Sequence, residues 1–283
     1  MKQNVTLLDG AGGTMLWNMA EEKGYAKDPV WKYNVDHPEL VKKLAENYID
    51  AGSQIIYTNT FGANCHAVAR SSDYTVEQVV SAGVRIAKEA VAGTGVKVAL
   101  DVGPLSMMME PYGDLTEEEV EEIYREQIGA GMSEDPDFIV LETFMDLEML
   151  KVAVSVAKSY GVPVLCTMTF EARGRTMMGN RVEDIAEELS DLGVDGVGIN
   201  CSLGPVDAVP IIREFAEHTD LPLVFKPNAG KPVLAEDGSV ISPYSAKDFA
   251  DDVASVLDLV TYLGGCCGSD PDYIRELKKT IEA

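Results

Sequence analysis

The sequence predicts an α/β fold, a single-domain (β/α)8 barrel of the TIM type. Three observations carry that expectation. Eight short apolar runs rich in β-branched residues alternate with longer stretches of helical period. Each run is followed by its own helical pattern, with no leftover segment larger than a loop. The 283 residues, 46% of them hydrophobic, match the size of one such barrel with no linker or second domain.

The runs follow in order. The first, 5–9, leads into "DGAGGTML" and a helical stretch. This turn lacks the G-x-G-x-x-G spacing expected of an open doubly wound sheet, and no G-K-[ST] phosphate loop occurs anywhere. The second, 54–60, precedes Thr75 and Gln78, whose spacing makes a capping box; after the third, 97–103, Thr116 and Glu119 repeat it. The fourth to seventh are 138–142, 163–169, 196–200 and 222–228. The eighth, 259–265, is followed by Asp270 and Pro271, a helix-start signal.

Charge excludes several partners. With 23 Lys and Arg against 47 Asp and Glu, the formal charge is −24, which repels nucleic acid and anionic membrane surfaces. The start of the chain has no apolar signal core and no run approaches the roughly 18 residues of a membrane span, so a cytoplasmic protein is expected. Five cysteines are too few for a disulfide scaffold in a chain this long, and clustered thiols in a reducing compartment point to metal or catalysis.

In a barrel of this type the chemistry sits where the strands end, so the residues delivered there are informative. They are Asp9 and Gly10, Asn59 and Thr60, Asp101 and Gly103, Glu142 and Thr143, Thr167 and Thr169, Asn200 and Cys201, Asn228, and finally Cys266 and Cys267. Three of the five cysteines thus converge on one rim. Three soft thiolates suit tetrahedral Zn²⁺ and leave a fourth position open, the catalytic rather than the structural pattern. The bland alternative for the vicinal pair is two tolerated small residues in a glycine-rich turn. His37, His66 and His218, the only histidines, fall at no strand end, so a histidine-based site has nothing to build from. Cys166 reads as core and Cys65 as a buried or loop thiol.

At these residues the sequence resembles the homocysteine S-methyltransferase family of zinc-dependent barrels. The resemblance spans the chain through "LLDGAGGTML", "TNTFGAN", "EPYGDLT", "LETF", "MTFEARGRT", "GINCSLGP", "KPNAGKP" and "GGCCGSDP". "TNTFGAN" and "PNAGKP" look more like the homocysteine-binding module of cobalamin-dependent methionine synthase than like the betaine or S-methylmethionine enzymes. What the resemblance implies is a zinc-dependent methyl transfer to homocysteine to form methionine. It gives Cys201, Cys266 and Cys267 as the zinc ligands and an Asn228 oxygen as holder of the fourth position; a structural turn role is the alternative for Asn228. It also implies that Asp9, Gly10 and Glu142 hold the amino-acid end of homocysteine, and Asn59 is a further candidate contact. The sequence departs from the family at Gly103, Pro104, Leu105 and Ser106, where G-P-T-G is usual.

The barrel accounts for residues 1–283, leaving no folate or cobalamin domain, so the methyl group is expected from outside: methylcobalamin carried on a separate corrinoid protein. Met107, Met108, Met109, Met177 and Met178 follow strands three and five and suit an adaptable docking surface, with loop packing the alternative. A free donor, betaine or S-methylmethionine, is the second reading; betaine would favour an aromatic cage, to which Trp17, Trp31 and Tyr33 of the first loop could contribute. A non-catalytic thiol-binding zinc subunit and a different acceptor thiol are the remaining alternatives.

Overall fold

Eight parallel strands form one sheet in the order β1-β10-β7-β6-β5-β4-β3-β2 in the computed structural model. The structure describes residues 5–230, 233–234, 240–241 and 244–283; Met1 to Asn4, and Lys231 and Pro232 at the end of the "KPNAGKP" motif, lie outside the described residues. The barrel strands are β1 (Thr6–Leu7), β2 (Ile55–Tyr57), β3 (Lys97–Val102), β4 (Phe138–Phe144), β5 (Val164–Met168), β6 (Gly196–Asn200), β7 (Leu223–Lys226) and β10 (Tyr262–Leu263). A two-stranded antiparallel hairpin, β8 (Val233–Leu234) and β9 (Val240–Ile241), follows β7.

The seam between β1 and β2 is closed mainly by side chains. Gln54 N–H donates to the Leu7 carbonyl at 2.6 Å, and Leu7 N–H donates to Gln54 Oε1 at 2.8 Å. Ser53 Oγ donates to the Leu8 carbonyl, and Tyr57 N–H donates to Asp9 Oδ2 at 2.7 Å. The open edges of the sheet are thereby satisfied.

Helices α1 (Gly13–Glu22), α2 (Tyr33–Asp36) and α3 (Pro38–Ala51) lie in the first connection, and α4 (Cys65–Ser71) and α5 (Val76–Val91) in the second. The later connections carry α6 (Glu117–Met132), α7 (Leu147–Lys158), α8 (Val182–Asp191), α9 (Pro205–His218), α10 (Ala246–Val253) and α11 (Pro271–Glu282). Both capping boxes are present, with Thr75 and Thr116 accepting from the N–H three residues on and Gln78 and Glu119 reaching back. Asp270 caps α11 by accepting from Asp272 N–H. No helix among the described residues is long and apolar enough to cross a membrane.

Two apolar cores result among the described residues. The larger lies between the sheet and the helices and includes Cys166, fully buried, with Cys65 half-buried against it at the start of α4. The smaller plugs the barrel with Leu8, Ile55, Ala99, Val140, Leu165 and Val224. Side chains along a strand alternate with a period of two, so the next inward positions after Ile55, Ala99, Val140, Leu165 and Val224 are Tyr57, Asp101, Glu142, Thr167 and Lys226. An apolar plug therefore carries a polar layer on its C-terminal side, and the site is built on that layer.

Candidate active site

The cysteines are held by main chain on both sides. Cys201 N–H donates to the Lys226 carbonyl at 3.1 Å, Cys266 N–H to the Pro227 carbonyl at 2.8 Å, and Ala229 N–H to the Cys267 carbonyl at 2.9 Å. Strand β7 lies between β6 and β10, so the segment leaving it braces both cysteine loops. Gly264 is required by close approach, since a Cβ there would lie 2.6 Å from the Asp9 carbonyl. Cys201 and Ser202 both adopt positive φ, 57° and 54°. Non-glycine residues in that region are uncommon and cluster at functional sites.

The three sulfurs lie within 4.8 Å of one another, and Cys201 Sγ is 3.7 Å from Cys267 Sγ. A tetrahedral zinc with Zn–S bonds of about 2.3 Å sets its sulfurs about 3.8 Å apart, so the donor set fits that ion. Hydrogen bonds from Cys266 and Cys267, helped by Ser202 N–H and Asn228 and opposed by burial, hold the Cys201 thiol down to about 3. The same bond to Cys201 raises Cys266 well above its ordinary value and pushes Cys267 up to about 11. A divalent cation held by all three sulfurs would require the two raised thiols to give up their protons. Asn228 has a side-chain hydrogen bond to Cys201 and a buried Oδ1 with no partner, a further oxygen beside the sulfurs.

The cluster opens into a cavity of about 370 Å³. Its polar wall contains Asp9, Asn59, Asp101, Glu142 and Lys226; its apolar flank includes Leu16, Trp17, Val30, Leu44 and Tyr48. Glu142 sits where the β4–β5 register shifts, between Leu141 and Phe144, and the next residue, Thr143, has φ 67°. Glu142 Oε2 is buried without a partner. Burial, reinforced by Asp9 and Cys201 and opposed by Lys226, raises its carboxyl to about 7.

Every predicted site residue has a place in or beside this cavity. Cys201, Cys266 and Cys267 meet. Gly10 stands in the wall where a Cβ would lie 2.6 Å from the Ser269 carbonyl. Asn59 lines the cavity while its Nδ2 donates to the Val30 carbonyl and Asn34 Oδ1, anchoring the first loop. Asp9 faces Lys226, whose Nζ donates to Asp9 Oδ1 at 2.8 Å. His37, His66 and His218 are not in the cluster.

Three polar residues went unassigned from sequence. Lys226 is 3% exposed, and its Nζ lies 3.6 Å from the centroid of the Tyr57 ring. Burial opposes its charge, but Asp9, Tyr57 and Glu142 keep its pKa well above the usual value. A lysine inside the apolar run "PLVFKPN" was the available signal, because a buried charge requires a partner. Asn200, fully buried, donates to Thr143 Oγ1 and, at 3.8 Å, to Cys266 Sγ. Asp101 belongs to the same inward layer as Glu142 and has an unpartnered Oδ1. Conversely, Trp31 and Tyr33 are buried in the core, which leaves Trp17 alone of the three aromatics at the cavity.

A family model described as homocysteine S-methyltransferase matches residues 6–281. Methionine synthase from Mycobacterium leprae is 27% identical over 265 residues, which are 88% of this chain but 22% of that protein. The chain thus spans about a fifth of the length of the methionine synthases it matches. Betaine–homocysteine S-methyltransferase 1 from Mus musculus is 29% identical over 285 residues, 92% of this chain and 69% of that one. In fold, the metallated form of the homocysteine methyltransferase MmuM from Escherichia coli superposes with a TM-score of 0.81 at 23% identity, covering 98% of this chain and 96% of its own.

Proposed function

Because the chain belongs to the homocysteine S-methyltransferase family, we propose that it transfers a methyl group to the thiol of L-homocysteine, forming methionine, and that it does so as a zinc protein. The observation that carries this reading is the trio of sulfurs at zinc spacing on the wall of a cavity lined by Glu142. Zn²⁺ held by Cys201, Cys266 and Cys267 supplies the positive charge that keeps an incoming thiol deprotonated near neutral pH, where a free thiol of pKa about 8.5 is only a few per cent thiolate.

The chain's own residues supply the rest. The Asn228 oxygen stands beside the cysteines for the interval before substrate arrives. Glu142 offers a buried, unpartnered acceptor to the polar end of the substrate. The apolar flank of Leu16, Trp17 and Leu44 excludes water, so the sulfur stays weakly solvated and nucleophilic. In the transfer, the sulfur attacks the methyl carbon, an S–C bond forms, and the donor departs with the electrons of the broken bond.

The donor best supported is a methylated corrinoid protein that docks over the mouth. Among the described residues, the exposed large hydrophobics are Trp17, Tyr25, Val35, Phe61, Met107, Met108, Tyr112, Met177 and Val206. Val206 lies in the first turn of α9, and the others lie between the end of a strand and the barrel helix that follows it, Trp17 within α1 and Val35 within α2. Exposed apolar side chains on these connections suit a macromolecular donor better than a small one. Met109, by contrast, packs into the core, and Met178 is half-buried. A betaine cage built from Trp17, Trp31 and Tyr33 lacks its second and third walls, which are buried.

Zinc-loaded protein incubated with homocysteine and, in turn, methylcobalamin, betaine and S-methylmethionine tests the reading. Methionine from methylcobalamin is expected. Methionine from a small onium donor would replace the corrinoid donor, and homocysteine binding with no transfer from any donor would mark a non-catalytic subunit.

A further inference from the structure

Cys201 reaches the sulfur cluster through a turn that a chain does not adopt freely. Leu203 N–H donates to the Cys201 carbonyl at 2.6 Å, which closes a three-residue γ-turn centred on Ser202. Ser202 has φ 54°, so this is the rare, strained form of that turn and not its common mirror form. Among the described residues, four that are not glycine have positive φ, and Cys201 and Ser202 are two of them. Cys266 and Cys267 are not.

The turn is braced from both neighbouring strands, because β6 lies between β5 and β7. On the β7 side the bonds are main chain to main chain. Cys201 N–H donates to the Lys226 carbonyl at 3.1 Å, and Asn228 N–H donates to the Leu203 carbonyl at 2.8 Å. Such bonds do not depend on which side chains the turn carries. On the β5 side the brace is a side chain: Ser202 Oγ donates to the Phe170 carbonyl at 2.9 Å, two residues past the end of β5. Phe170 is a firm anchor, 2% exposed and packed edge-on against Phe215 with ring centroids 5.8 Å apart.

Residue identity at position 202 therefore matters for that one contact. Ser202 is exposed, and an exposed residue at positive φ has no packing reason to carry a Cβ, since glycine takes the conformation without strain. What glycine lacks is the hydroxyl, and the hydroxyl is what reaches Phe170. The main-chain N–H of the same residue bonds the Cys201 sulfur. Holding the turn thus also holds a donor against the ligand atom.

We propose that Ser202 is a positioning residue for the metal: its hydroxyl pins the γ-turn so that Cys201 Sγ stands 3.7 Å from Cys267 Sγ before any ion arrives. The assignment rests on the zinc reading above. Partners that orient a metal ligand without touching the metal are commonly worth about 10–100-fold in metal affinity. The turn itself is at the surface, so the effect belongs in affinity for the ion more than in stability of the fold.

Three variants separate the hydroxyl from the backbone. Ser202→Gly accepts φ 54° and lacks the hydroxyl; Ser202→Ala lacks it and keeps the strained Cβ. Ser202→Thr keeps the hydroxyl and adds a branch at Cβ that positive φ tolerates poorly. Zinc Kd is measured on each full-length protein by competition with a chromogenic chelator, and melting temperature is measured on the metal-free form. The two rankings are expected to cross. Zinc affinity should fall about 10-fold in Ser202→Gly and Ser202→Ala and stay near wild type in Ser202→Thr, while the melting temperature should be lowest in Ser202→Thr and nearest wild type in Ser202→Gly. Zinc affinity that follows melting temperature across the three would overturn the assignment. Unchanged affinity in the Gly and Ala variants, beside a wild type that binds zinc, would overturn Ser202 alone; a wild type that binds no zinc would remove the metal reading with it.

Discussion

Asn200 grips Thr143 at two points. Its Oδ1 accepts from Thr143 N–H at 2.8 Å, and its Nδ2 donates to Thr143 Oγ1, also at 2.8 Å. Thr143 needs this hold, because a β-branched residue at φ 67° is strained by about 1–3 kcal/mol. The clamp keeps the β4 irregularity in place and with it the orientation of Glu142. Asn200 is therefore a positioning residue. Asn200→Ala is expected to lower stability by about 1–3 kcal/mol in urea denaturation and to raise KM for homocysteine several-fold. A variant with unchanged stability and KM would contradict the role.

The buried pair of Lys226 and Asp9 gives a second expectation. Removing one partner leaves a charge stranded in the barrel, which costs about 3–5 kcal/mol, whereas removing both costs much less. Lys226→Met should thus melt well below wild type, and the double variant Asp9→Asn/Lys226→Met should recover most of the loss. Two losses that simply add would mean that the residues are not coupled.

Glu142 predicts a pH effect with a definite sign. Its folded value, raised to about 7 by burial, exceeds the 4.5 of the unfolded chain, so the native state holds the extra proton between those values. Its contribution to stability is present in full below about 4.5 and is lost as pH rises through about 7. An ammonium ligand favours the ionised form, so homocysteine affinity should weaken as pH falls below about 7. Glu142→Gln, which cannot ionise, should weaken binding and flatten this part of the profile. A profile identical in both proteins would exclude Glu142 as its source.

The exposed methionines separate donors. Met108→Lys with Met177→Lys should depress methyl transfer from a methylated corrinoid protein at least several-fold and leave transfer from free methylcobalamin unchanged. Both residues are exposed, so folding should be unaffected. Equal loss with both donors would place these side chains in the cavity chemistry instead of at an interface.

Much of this site was legible in sequence because a parallel barrel sends every strand end to one face. That rule alone brought Cys201 together with Cys266 and Cys267, and the capping pairs at Thr75 and Thr116 marked where helices begin. Other features depend on where chains cross. Lys226 shows in sequence as an isolated charge, but Asp9, its partner, lies 217 residues away. Asp9 sits at a strand end and so invites a substrate role; its bonds follow only from the closed barrel, Oδ2 from the β1–β2 seam and Oδ1 from Lys226 on β7. Trp31 and Tyr33 belong to a loop long enough to reach the mouth, yet their hydrophobic area draws them into the core. Asn200 offers no sign of its clamp, because the positive φ of Thr143 is a product of the register shift it stabilises.

The most direct test of the account is the X-ray absorption spectrum of zinc-loaded protein before and after homocysteine is added. Three sulfurs and one lighter N/O ligand should become four sulfurs, as the incoming thiol takes the open position beside Cys201, Cys266 and Cys267. Four sulfurs without substrate, or a spectrum that homocysteine leaves unchanged, would contradict it.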